Sequence, residues 1–258
     1  MNRRDFLKAL GLTLAPLAPN LALAVAPEYS NLLILVELKG GNDGVNTVIP
    51  YADSEYYTLR SRLAVSRDQV LQLDQRSGLH PALKLLLPLW QKRELAIVQG
   101  VGYPQPNLSH FRSIEIWDTA SAANEYLDDG WLTRVFAASP APRAFAADGV
   151  VVGSPEIGPL TGGARVIALA DIESFLRQSR LVSDKPRQSE NPMLAHILKV
   201  EADIQQAASV LRGNHAFKTE FPQAPFGKAV RTAAEVIASK SGIAVLRITQ
   251  AGYDTHSN

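Results

Sequence analysis

Residues 31–41 read Asn31-Leu32-Leu33-Ile34-Leu35-Val36-Glu37-Leu38-Lys39-Gly40-Gly41, and they decide how the rest of the chain is read. A short, almost wholly apolar run that stops at two glycines fits a strand buried on both faces of a parallel sheet, because βαβ crossovers cover such a sheet on both sides. Downstream, Pro81 to Trp90 reads as a helix despite Pro88, and Leu95 to Gln99 as the next strand, which gives a β-α-β rhythm. Asp148 to Val152, Arg165 to Leu169 and Ile243 to Thr249 are further strands. Ile172 to Gln178, Met193 to Leu211 and Phe226 to Ser239 are helices, the longest with Leu194, Ile197, Leu198, Ile204, Ala208 and Leu211 at helical spacing and Gly213 at its C-terminal cap. Polar residues between Leu181 and Pro192 read as an exposed linker. This alternation of strands and helices implies an α/β fold with a mainly parallel sheet.

Upstream of the strand the chain changes character. Arg3-Arg4-Asp5-Phe6-Leu7-Lys8 is followed by an uncharged, Leu- and Ala-rich stretch, Ala9 to Ala26, broken by Gly11, Pro16 and Pro19. It is too interrupted for a membrane span and suits the apolar core of a signal peptide. The paired arginines resemble the address read by the twin-arginine translocation machinery, which exports folded cargo. Cleavage after Ala24 or after Ala26 fits the small-x-small rule, so residues 1–26 are expected to be a signal and 27–258 one domain, periplasmic or secreted.

Composition narrows the function classes. Of 26 basic and 25 acidic side chains, three and one lie within the first eight residues, which leaves 23 against 24. That balance provides no electrostatic footprint for nucleic acid. No cysteine occurs, so a disulfide framework, a thiolate metal site and a cysteine nucleophile are excluded.

Three polar clusters lie beyond the carboxyl ends of the expected strands, where the loops of an open α/β sheet line a ligand crevice. They are Gly40-Gly41-Asn42-Asp43-Gly44, Asn107-Leu108-Ser109-His110 and Asp254-Thr255-His256. Each also has a plain structural reading: the first as a tight turn, Ser109 as a helix N-cap, and Asp254 and His256 as loop groups bonded to backbone. Taken together, Asp43, Asp254 and His256 are oxygen and imidazole ligands suited to a divalent ion such as zinc, calcium or magnesium. A hydroxyl such as Ser109 becomes a nucleophile when a metal lowers its pKa. His80 reads as a capping or packing residue before the first helix, and His196 and His215 as surface residues.

These residues sit in longer segments with a recognisable pattern: LVELKGGNDGVNTVIPY (35–51), GLHPALKLLLPLW (78–90), LAIVQGVGYPQPNLSHFRSIEIW (95–117), GWLTR (130–134) and AGYDTHSN (251–258). With the twin-arginine start they resemble the domain-of-unknown-function 1501 family (DUF1501), secreted bacterial proteins of the alkaline phosphatase and sulfatase superfamily. The resemblance implies a three-layer α/β/α sandwich with a metal site at the carboxyl edge of its sheet. It makes Asp43, Asp254 and His256 the metal ligands and Ser109 the nucleophile, with Asn42 and His110 orienting the transferred group of a small anionic phosphate or sulfate ester. Asp-Thr-His stands where the superfamily has Asp-x-x-x-His. The family's later Glu-Phe-Gly-Arg segment and Asp-His pair have no counterpart within residues 1–258, so the chain is expected to be incomplete at its C-terminus. A non-catalytic binding or surface-assembly protein that keeps the fold is the competing expectation.

Overall fold

The structure, a computed structural model, describes residues 31–169, 171–182, 189–211 and 215–255. The expected export segment, Gly213, His256 and most of the polar linker lie outside the described residues. Four parallel strands form the main sheet: β1 (Leu33–Leu38), β5 (Ala147–Val152), β6 (Val166–Leu169) and β7 (Ile243–Gln250), in the order β1-β7-β5-β6. The chain between β1 and β5 carries three two-residue strands, β2 (Val48–Ile49), β3 (Leu71–Gln72) and β4 (Gly78–Leu79), which pair antiparallel as β2-β4-β3. This small sheet has a core of its own around Ile49, Tyr51, Tyr56 and Val70.

The helices are α1 (Gly44–Thr47), α2 (Ser54–Leu59), α3 (Leu87–Gln91), α4 (His110–Thr119), α5 (Trp131–Ala138), α6 (Ile172–Ser179), α7 (Pro192–Leu211) and α8 (Pro225–Ala238). Strand alternation sends successive side chains of the main sheet to opposite faces. Val150, Val152, Leu246 and Ile248 pack with Ile172 of α6 and Ala229, Ala233 and Val236 of α8. Val151 and Val245 pack on the other side with Leu132 and Phe136 of α5 and with Leu160. The mixed α/β content and parallel sheet expected from the sequence are therefore present.

Three local expectations are corrected. Leu95 to Gln99 does not form a strand: it runs without regular structure, and Val98 is 79 % exposed. Apolar composition there is not matched by a ladder partner, and hydrogen-bond pairing is what makes an extended run a strand. The β1 strand is not buried on both faces. It is an edge strand with β7 as its neighbour, and Ile34 and Val36 are about half exposed because α6 and α8 pack over the centre of the sheet. Pro81–Leu86 is a 3-10 helix that passes into α3 at Leu87, with Leu83 off helical geometry at the kink. Pro88 at the start of α3 explains the break, since proline is tolerated in the first turn and not inside a helix.

His80 caps this segment as the sequence suggested, its Nδ1 accepting the Ala82 N–H at 3.1 Å. His215 is not the surface residue expected. It is partly buried, and its Nε2 is enclosed with no hydrogen-bond partner among the described residues. The His196 side chain lies outside the described residues.

Candidate functional site

The Gly40-Gly41 pair ends β1 with a turn that only glycine adopts easily, at φ of 98° and 86°. The turn lets the backbone run close under two side chains. A Cβ on Gly40 would lie 3.0 Å from the Asp254 Cβ, and one on Gly41 would lie 3.3 Å from His110 Cε1. The His110 Nε2 and Asp254 Oδ1 atoms are 3.4 Å apart, and both side chains are about half exposed. One member of each sequence cluster thus meets at the carboxyl edge of the sheet, with His110 and Asp254 paired above the Gly40-Gly41 backbone.

The Asn107–His110 cluster does not hang from a strand end. It is placed by helix α4, which begins at His110 and leans on the Gly158–Leu160 turn. Ser109 is its N-cap residue by backbone conformation, yet its side chain makes no capping bond. The Ser109 N–H instead donates to Asn107 Oδ1 at 2.9 Å, and the exposed Ser109 hydroxyl makes no hydrogen bond among the described residues.

Asp43 and Asn42 are spent locally. The Asp43 side chain caps α1, with Oδ1 accepting the Asn46 N–H at 3.2 Å, while Oδ2 takes the Arg60 guanidinium at 2.6 Å. Partial burial pulls this carboxyl upward, but the Arg60 hydrogen bond, the backbone donors and the Arg60 charge outweigh it and hold it below the ordinary aspartate value. Asn42 Nδ2 donates to Thr47 Oγ1 at 3.0 Å.

Two adjoining clefts open at this edge. One, of about 520 Å³, is lined by Gly40, Gly41, Asn42, His110 and the base of β1. The other, of about 670 Å³, is lined by His110, Asp254, Glu156 and Asp118. Ser109 and Asp43 line neither.

Below the clefts lies a charged cluster that motif reading did not single out. Arg247 of β7 is 2 % exposed, donates to the Glu156 carbonyl at 2.5 Å and is ion-paired with Glu37 of β1. Glu37 also accepts from Thr249 Oγ1, and Lys39 pairs with Glu156. Burial pushes the Asp118 carboxyl up to about 6 against the attraction of Arg247, and the neighbouring Glu37 and Glu156 reinforce the rise. The signal was present in the sequence as single charges, Glu37 and Arg247, inside apolar strands. Parallel pairing sets Leu35 beside Arg247 and Glu37 beside Thr249, which brings the two charges together on one face.

The described residues do not build a metal centre. No group of three His, Asp or Glu side chains among them is placed to hold an ion, Asp43 is engaged by Arg60, and His256 lies outside the described residues. Comparison with protein-family models, with characterised proteins and with solved structures gives no match.

Proposed function

We propose that this chain is an exported alkaline phosphatase-like protein, of the DUF1501 type, whose carboxyl-edge cleft receives a small phosphate or sulfate ester. The observation that carries the reading is the meeting of His110 and Asp254 over Gly40-Gly41, at the sheet edge where ligands of open α/β folds bind. Helices packed on both faces of the sheet support a three-layer α/β/α arrangement. In this reading Ser109, next to His110 in the chain and lining neither cleft itself, attacks the phosphorus or sulfur atom as the bond to the ester oxygen breaks; the alcohol departs with the proton from Ser109, and water then hydrolyses the seryl ester. His110, oriented by Asp254, and Asn42, oriented by Thr47, hold the oxygens of the transferred group.

A second reading, an exported binding or surface-assembly protein without turnover, is favoured by one contact. The Arg60–Asp43 pair occupies the carboxylate that an alkaline phosphatase-like site would give to its ion.

One experiment in the native cell addresses both export and chemistry. Hydrolysis of nitrophenyl phosphate and nitrophenyl sulfate is followed in the periplasmic and secreted fractions for the wild type, for Ser109→Ala, and for a double variant with Arg3→Lys and Arg4→Lys. The expected result is ester turnover in the wild type, background rates with Ser109→Ala, and unprocessed protein left in the cytoplasm by the arginine variant. Turnover unchanged in Ser109→Ala removes the nucleophile, and normal processing of the double variant removes the twin-arginine route. Absence of turnover in all three favours the binding protein.

A further inference from the structure

We infer that the free edge of β1 is an interface at which a second copy of this chain pairs, antiparallel and strand to strand, about a two-fold axis through Val36. β1 borders the main sheet and pairs with β7 alone. No turn or loop among the described residues forms a backbone hydrogen bond to residues 33–38 on the other side. An unpaired edge of this kind is a template for another strand, and proteins that keep such an edge single place lysine, proline or a bulge along it. Leu33–Leu38 has none of these: its register with β7 is continuous, and its one charge, Glu37, is tied to Arg247 of its own chain.

The side chains show what covers the edge. Register with β7 sets Ile34 beside Leu246 and Val36 beside Ile248, so Ile34, Val36 and Leu38 carry the apolar row of the core under α8 out to the border of the sheet. There the row runs out of cover, and the three residues are 46, 51 and 37 % exposed. A two-fold axis normal to the sheet keeps each face on its own side. With Val36 on the axis, Ile34 lies opposite the partner's Leu38, Val36 opposite the partner's Val36, and Leu38 opposite the partner's Ile34. On that face the exposed row therefore meets itself, apolar against apolar at each position. Centring on Glu37 would oppose like charges, and centring on Leu35 would leave Leu38 facing beyond the start of the partner strand. Self-complementarity of the row is what makes a second copy the occupant.

Val36 and Leu38 also border the cleft of about 520 Å³, so the second copy stands at the rim of that cleft. The inference does not rest on the ester-hydrolase reading, because the pairing uses neither Ser109 nor His110. One strand pair is a small interface, which puts the dissociation constant at about micromolar.

The test is sedimentation of the purified protein over a range of concentration, with cysteine cross-linking to read the register. The wild type is expected to be dimeric at about 100 µM and monomeric at about 0.1 µM. Val36→Lys puts two ammonium groups on the axis and is expected to weaken association at least about hundredfold. Leu59→Lys, at an 80 % exposed side chain of α2, is expected to leave association unchanged. The chain has no cysteine, so Val36→Cys carries a single thiol. Opposed Cα atoms of an antiparallel pair lie about 4.5–5.5 Å apart, within disulfide range, so mild oxidation is expected to link Val36→Cys into a covalent dimer and to leave Leu59→Cys monomeric. The cysteine arm keeps the test decisive where lysine unsettles β1. A monomeric wild type at about 100 µM, a dimer undiminished in Val36→Lys, or cross-linking of Val36→Cys no faster than of Leu59→Cys would overturn the interface.

Discussion

Replacing Arg247 by methionine is expected to cost about 3 kcal/mol of stability at pH 7, although methionine fills most of the same space. The buried guanidinium joins Glu37 of β1, the Glu156 carbonyl and its own strand β7, so its loss removes the cation that compensates a carboxylate set between strands. Glu37 keeps some access to water, with its side chain 25 % exposed, which places the cost at the lower end of the range for a broken buried pair. A double variant, Glu37→Met with Arg247→Met, is expected to recover most of the stability. Urea unfolding of the wild type and the two variants measures this, and a single-variant cost under about 1 kcal/mol would show that the pair is not a buried tie.

Gly130→Ala is expected to cost about 3 kcal/mol or more, the upper end of what overpacking does. The added Cβ would lie 2.1 Å from the Pro159 carbonyl oxygen and 2.3 Å from its carbon, both backbone atoms next to the wholly buried Leu160. Conformation is not the reason for glycine here, since φ of −66° and ψ of 155° suit any residue. Space is the reason: the Gly130 N–H donates to the Thr161 carbonyl at 3.0 Å, which clamps the start of α5 against the turn. Gly44→Ala serves as the control, because nothing lies within 4 Å of its would-be Cβ, and its effect is expected to stay within about 0.5 kcal/mol. Similar costs for the two variants would mean that the α5 start does not seat on the Pro159 backbone.

The regular elements were legible where apolar periodicity and tertiary packing agree. β5, β6, β7, α6 and α8 fall within a residue or two of their expected bounds, because their apolar faces meet one another in the two cores, and α7, which packs on α6, does so too. Leu95 to Gln99 shows the opposite case, an apolar run without a partner strand among the described residues. Of the candidate site, the Gly40-Gly41 turn followed from glycine chemistry and the place of Asp254 from a strand end, whereas His110 reaches Asp254 on helix α4, since the strand expected over Leu95 to Gln99 is not formed. The commitment of Asp43 to Arg60 did not, because residues 17 apart along the chain give no local signal. Asp118 was equally hidden. Its neighbours Glu37, Glu156 and Arg247 come from three distant segments, and only folding brings them around one carboxyl.

The convergence of the β1 turn with the Asp254 loop is tested most directly by a pair of cysteines at Gly40 and Asp254. The chain has no cysteine, so any disulfide formed is the engineered one. Disulfide-bonded Cβ atoms lie about 3.5–4.5 Å apart, so the 3.0 Å between the Gly40 Cβ position and the Asp254 Cβ must open slightly, and cysteine at Gly40 also carries the strain of a φ of 98°. Thiols are titrated under denaturing conditions after mild oxidation of the double variant with Gly40→Cys and Asp254→Cys. A single intramolecular disulfide with no reactive thiol is the expected result, whereas two fully titratable thiols in the folded, oxidised protein would contradict a shared site at the sheet edge.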